Sequence, residues 1–170
     1  MCHFLHIATP LTLSELRSML PPGLAADLVD PRESTALLGS FPAGRTAARL
    51  LAGACSCDLF LRRDLDGRSE EAELRRRYRE LGAERGARIR ALERHRRRGP
   101  VHRTPDEWAV HLAAFVAEHA RNAGPTLYYR EVSIGSLGPI TAKPVTRRLA
   151  EVLERPGSWL EERQPVIVAR

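Results

Sequence analysis

Short apolar runs alternate along this chain with stretches whose hydrophobic positions recur every three or four residues, so buried strands and amphipathic helices are both expected. Residues 2–8, Cys-His-Phe-Leu-His-Ile-Ala, read as a buried strand. Thr12-x-x-Glu15 then forms a capping box for a short helix with Leu13, Leu16 and Leu20 inward, stopped by Pro21-Pro22. Residues 23–40 read as irregular apart from a short strand at 27–29. A helix at about 43–52, rich in Ala, Arg and Leu, ends at Gly53, and a strand over 54–61 follows.

From Ser69 to Arg98 the spacing of Leu74, Tyr78, Leu81, Ile89 and Leu92 predicts helix, divided by Gly82 and Gly86. Thr104-Pro-Asp-Glu107 combines an N-cap, a proline at the first helical position and an acidic third position. It predicts a helix over 105–122 whose inner stripe is Trp108, His111, Leu112, Phe115, Val116 and His119. A strand at 126–134 comes next, with one inward and one outward tyrosine at Tyr128-Tyr129. A helix at about 144–154 and an edge strand at 165–168 complete the pattern.

Strands alternating with helices predict the α/β class. The expected architecture is one domain over 1–170, with a small, mostly apolar sheet of about four strands flanked by five or six helices and the basic segment 69–98 protruding. A chain of 170 residues can bury a real core without staples. No apolar run reaches the ~18 residues of a membrane span, and the start lacks the basic flank of a signal peptide, so the expected location is the cytoplasm. Three cysteines, an odd number, exclude a fully paired secreted framework.

Charge changes this picture in one place. Lys143 is the single lysine among 27 basic residues, a bias that points to GC-rich codons and a bacterial source. The net charge of +6 comes from residues 85–98, where seven arginines face one glutamate; the rest balances at 20 basic against 20 acidic. On a helix Arg90, Arg94, Arg97 and Arg98 lie near one face. Such a stripe suits nucleic-acid phosphates or an acidic protein partner, although no helix-turn-helix, zinc-finger or base-stacking signature accompanies it.

The reactive side chains gather elsewhere. Cys2, His3 and His6 lie in the first strand, and Cys55, Cys57 and Asp58 in the 54–61 segment. Thiolate, imidazole and carboxylate are the groups used for metal binding and nucleophilic chemistry, so the meeting of these two segments is the expected site. Zinc is the metal such ligands prefer, with Cys2, Cys55 and Cys57 as the ligand set. Strand alternation turns His3 and His6 to opposite faces, and Cys2 and His6 stand about 13 Å apart at ~3.3 Å per residue. Cys2, Cys57 and Asp58 are the candidate catalytic residues, and plain core packing of the cysteines is the competing reading.

Removal of Met1 would leave an N-terminal Cys2 whose amine could activate its thiol. The Met-Cys start resembles that of class II glutamine amidotransferases, but His3-Phe4 stands where Gly-Ile usually follows, and their later motifs are absent. His111 and His119 lie too far apart along a helix to share an ion and read as core or boundary residues. Gly135-Ser-Leu-Gly138 follows a strand and offers backbone amides to a phosphate without matching a P-loop.

Overall fold

The computed structural model describes residues 2–52, 56–60, 75, 76, 79, 89, 93, 104–133 and 137–170. Among them six strands form one sheet: β1 (Cys2–Thr9), β2 (Leu24–Leu28), β3 (Thr46–Ala52), β4 (Thr126–Ser133), β5 (Val145–Arg148) and β6 (Val166–Ala169), in the order β2-β3-β1-β4-β6-β5. All neighbours are antiparallel except β5 and β6. Four α-helices accompany them: α1 (Leu13–Ser18), α2 (Pro31–Gly39), α3 (Pro105–Ala123) and α4 (Leu149–Glu154).

The α/β class is therefore as the periodicity predicts, but the sheet has six strands rather than about four, and the described helices number four rather than five or six. Of the segment 69–98 only residues 75, 76, 79, 89 and 93 are described, each helical; the two helices expected there fall mostly outside the described residues.

The capping boxes are the most exact local signals. Thr12 with Glu15 opens α1, and Thr104 with Glu107 opens α3, each with side chain and backbone bonded reciprocally. Asp30-Pro-Arg-Glu33 carries the same signature: Asp30 accepts from the amides of Arg32 and Glu33, Glu33 reaches back to Asp30, and Pro31 starts α2. The stretch read as irregular thus holds β2 and α2.

Tertiary pairing overrides helix propensity over 43–52. Thr46–Ala52 is β3, inserted between β1 and β2, with Leu50 opposite Leu5 and Ala48 opposite both Ile7 and Leu28. Its residues are buried on both faces, a pattern that suits an interior strand and defeats a one-sided helical stripe. The predicted helix 144–154 likewise begins as strand β5 and turns helical only at Leu149. β6 is not an edge: it lies between β4 and β5. The 54–61 strand is also corrected. Gly53–Cys55 and Leu61 lie outside the described residues, and Cys57–Leu59 forms a single 3-10 turn that leaves the sheet.

Strand β1 sits at the centre, and its alternation sorts the protein into three layers. Leu5 and Ile7 face the larger core with Leu16 of α1, Trp108, Leu112, Phe115 and Val116 of α3, and Val152 of α4. Ala8, with Ala47 and Leu127 on neighbouring strands, faces Leu37 of α2 and Phe41. Small residues at Ala8 and Ala47 let α2 approach one end of this second face. The other end of the same face is where the polar residues are.

Candidate functional site

Four neighbouring positions on the α2 face of the sheet carry polar side chains: His6 on β1, Arg49 on β3, and Tyr129 and Glu131 on β4. His6 is directly opposite Arg49 on one side and Tyr129 on the other, while Glu131 is opposite Phe4. Directly opposed side chains on one face are in contact range, so the register alone brings these groups together.

The charges are arranged unevenly. Arg49 Nη2 donates to both oxygens of Glu33, at 2.9 and 3.0 Å, and its guanidinium lies 4.5 Å from the centre of the Phe4 ring. Glu33 Oε1 also accepts from the Leu137 amide at 2.7 Å. Glu131 accepts from the Gly138 amide. Of the 135–138 amides expected to be open to a phosphate, those of Leu137 and Gly138 are bound to carboxylates, and residues 135 and 136 lie outside the described residues.

Around this framework, four atoms are buried without a hydrogen-bond partner: both ring nitrogens of His6, Nε of Arg49 and Oε2 of Glu131. His6 is 0% exposed and Glu131 5%. Burial, helped by the Arg49 charge, pulls the His6 imidazole down to about 3, so the ring is neutral at ordinary pH. Burial pushes the Glu131 carboxyl up, against the amide of Gly138 and the nearby arginines. Tyr129 is raised by burial and by Glu131. The site therefore offers a neutral imidazole, an arginine already neutralised by its partner, and a buried carboxyl whose proton affinity burial raises.

The predicted meeting of the two cysteine-bearing segments occurs, but not as adjacent strands. Ser56 fills the point where β1 and β3 separate: its hydroxyl accepts from Leu5 N at 2.9 Å and donates to Leu50 O at 2.5 Å. Next to it the His3 amide donates to Cys57 Sγ at 3.2 Å, and Cys57 is 0% exposed and packed on Phe4. Asp58 lies half-buried in the same turn. Cys2 pairs through its backbone with Ser133 on β4; its side chain, and all of Cys55, lie outside the described residues. Among the described residues no three His, Cys, Asp or Glu side chains are grouped to hold a metal ion.

His3 and His6 do face opposite ways. The His3 ring contacts Phe60 and Arg130 on the α3 face, whereas the His6 ring lies between Phe4 and Tyr129 on the α2 face. His119 is fully buried, its two ring nitrogens 2.9 Å from Thr9 Oγ1 and from the Tyr128 hydroxyl, and burial lowers it to about 4. His111 is only half-buried. Neither tyrosine of the 128–129 pair points outward, because both sheet faces are covered; Tyr128 is 0% and Tyr129 4% exposed.

A cleft of about 390 Å³ beside β5 and α4 is lined by Arg147, Glu151, Glu154, Arg155, Trp159 and Glu161. Arg147 is shared there between Glu151 and Glu161, at 3.7 and 3.9 Å, so its charge is compensated. Arg90, Arg94, Arg97 and Arg98 lie outside the described residues. No described helix is long and apolar enough to cross a membrane.

Sequence reasoning missed His6, Arg49, Glu33 and Glu131 as a group because they come from four elements. A signal existed only for Glu33, as the last residue of an unread capping box, and for His6, as a histidine inside an apolar strand. Comparison of the chain with protein-family models, with curated proteins and with solved structures returned no match.

Proposed function

We propose that this protein binds a small, uncharged polar molecule on the α2 face of its sheet, with His6, Arg49 and Glu131 as the recognition groups. The observation that carries this reading is the set of four buried, unpartnered polar atoms on neighbouring strand positions. Unsatisfied buried polar groups cost about 1–3 kcal/mol each, so their concentration at one spot is consistent with a binding role. The arginine's charge is matched by Glu33, which leaves no net attraction for an anion. Neutral His6 presents one donor and one acceptor, Arg49 Nε a donor and Glu131 Oε2 a donor or acceptor, a set that suits an amide, a urea or a similar planar group.

A thermal-shift screen of neutral amides, ureas and heterocyclic lactams tests this reading. The expected result is stabilisation by at least one of them that is lost in His6→Phe. Stabilisation only by charged compounds, or undiminished binding by His6→Phe, overturns it.

A second reading is favoured by the His3 amide donating to Cys57 Sγ. That contact supports thiol chemistry at the junction of β1 with the 56–59 turn, where Asp58 also lies. Its test is alkylation of Cys57 in the folded protein.

A further inference from the structure

On the opposite, α3-facing side of the sheet, Arg130 of β4 is a half-buried cation with no counter-ion among the described residues. Its Nη2 lies 3.3 Å from His3 Nδ1, which as the acceptor carries no proton there. The guanidinium stacks 4.2 Å from the centre of the Phe60 ring. Its Nε is buried and has no hydrogen-bond partner. Among the described residues no carboxylate lies within salt-bridge distance. Glu162, whose backbone bridges to Arg130, is exposed and acts on it only through space.

The contrast with Arg49 is direct. Both arginines lie on interior strands flanking or within the β1 pairings, and both stack on a phenylalanine. Arg49 has a carboxylate bound to it by two hydrogen bonds, and Arg130 has none among the described residues. A guanidinium withdrawn from water without an anion is unfavourable, and its planar fork matches carboxylate and phosphate oxygens. The stacking on Phe60 and the bond to His3 hold that plane in place before anything binds.

We propose that Arg130, oriented by His3 and Phe60, is a binding site for a small oxyanion, the carboxylate or phosphate group of a ligand. This site is independent of the neutral-ligand site proposed above, being on the other face of the sheet. The anion accepts from the half-buried Arg130 guanidinium, and Glu162 opposes it electrostatically.

The test follows the Arg130 Nε–H resonance by NMR while inorganic phosphate, and separately acetate, are titrated against sodium chloride at matched ionic strength. The expected result is a saturable shift with an oxyanion that chloride does not reproduce. Response to phosphate alone assigns a phosphate site, and response to acetate a carboxylate site. Glu162→Gln is expected to tighten binding and Arg130→Gln to weaken it by roughly tenfold or more. A shift that only tracks ionic strength, or an affinity unchanged in Glu162→Gln, overturns the assignment; neither readout depends on Arg130→Gln folding.

Discussion

Arg49 and Glu33 join the middle of the sheet to the first turn of α2 through two hydrogen bonds, from Nη2 to both carboxylate oxygens at 2.9 and 3.0 Å. Glu33 is 3% exposed, so the pair is withdrawn from water on the carboxylate side. Removing one partner strands the other. Arg49→Met is expected to destabilise the fold by about 3–5 kcal/mol, and the double change with Glu33→Leu to recover much of that loss. Urea unfolding of the three variants checks both statements; a loss in the double variant equal to the sum of the two single losses would mean that the pair is not coupled.

Acid should unfold this protein through its histidines. The folded His6 ring titrates near 3 and His119 near 4, both below the ordinary value of 6.5. Between those values the unfolded chain binds more protons, so stability is full above about pH 6.5 and is lost progressively as pH falls. The His6 share is roughly 4–5 kcal/mol when the whole window has been crossed. Glu131, raised in the fold, works in the opposite sense and offsets part of it. Stability measured from pH 7 to pH 3 should fall less steeply in His6→Phe; an unchanged slope would contradict a buried neutral ring.

The hydroxyls of Thr9 and Tyr128 hold the two nitrogens of His119 across the α3–sheet interface. A neutral imidazole needs one donor and one acceptor, which two hydroxyls supply in either tautomer. Tyr128→Phe keeps the ring and orphans Nδ1, with an expected cost of about 1–3 kcal/mol. A double-mutant cycle with Thr9→Val should show non-additive losses, because both act on one ring.

Ser56 serves two buried backbone groups that the separating strands leave behind, Leu5 N–H and Leu50 C=O. Ser56→Ala removes both partners at once. The expected loss is about 2–4 kcal/mol, read from chemical denaturation, and amide exchange at Leu5 should accelerate by at least the corresponding factor.

Cys57 is enclosed between Phe4 and the His3 amide. In a Cys2→Ser/Cys55→Ser background its thiol should react with a bulky disulfide reagent only at the rate of opening or unfolding. Rapid modification of the folded protein would instead support the thiol reading of the junction.

Much of this was legible along the chain. The central apolar strand, the capping boxes of α1 and α3, the inner stripe of α3 and the strand at Thr126 are local signals, set by side-chain alternation and by hydrogen bonds between residues three apart. The two faces of β1 followed as well, including the opposite orientation of His3 and His6. What failed were segments whose state depends on partners. Thr46–Ala52 has helix-forming residues, yet β1 and β2 offer its backbone two ladders and its side chains two cores. Val145–Arg148 becomes a strand only because β6 lies parallel beside it.

By itself, then, the sequence determined the α/β class, the central strand and the helix starts, since these rest on neighbours a few residues away. Strand order came from pairing in three dimensions, and with it the clustering of His6, Arg49, Glu33 and Glu131 on one face and of Arg130 with His3 and Phe60 on the other. Those contacts join residues up to 127 positions apart, as between His3 and Arg130, and no local spacing encodes them. Register between strands, set by the burial of both faces of β1, is the physical step that turns scattered polar residues into sites.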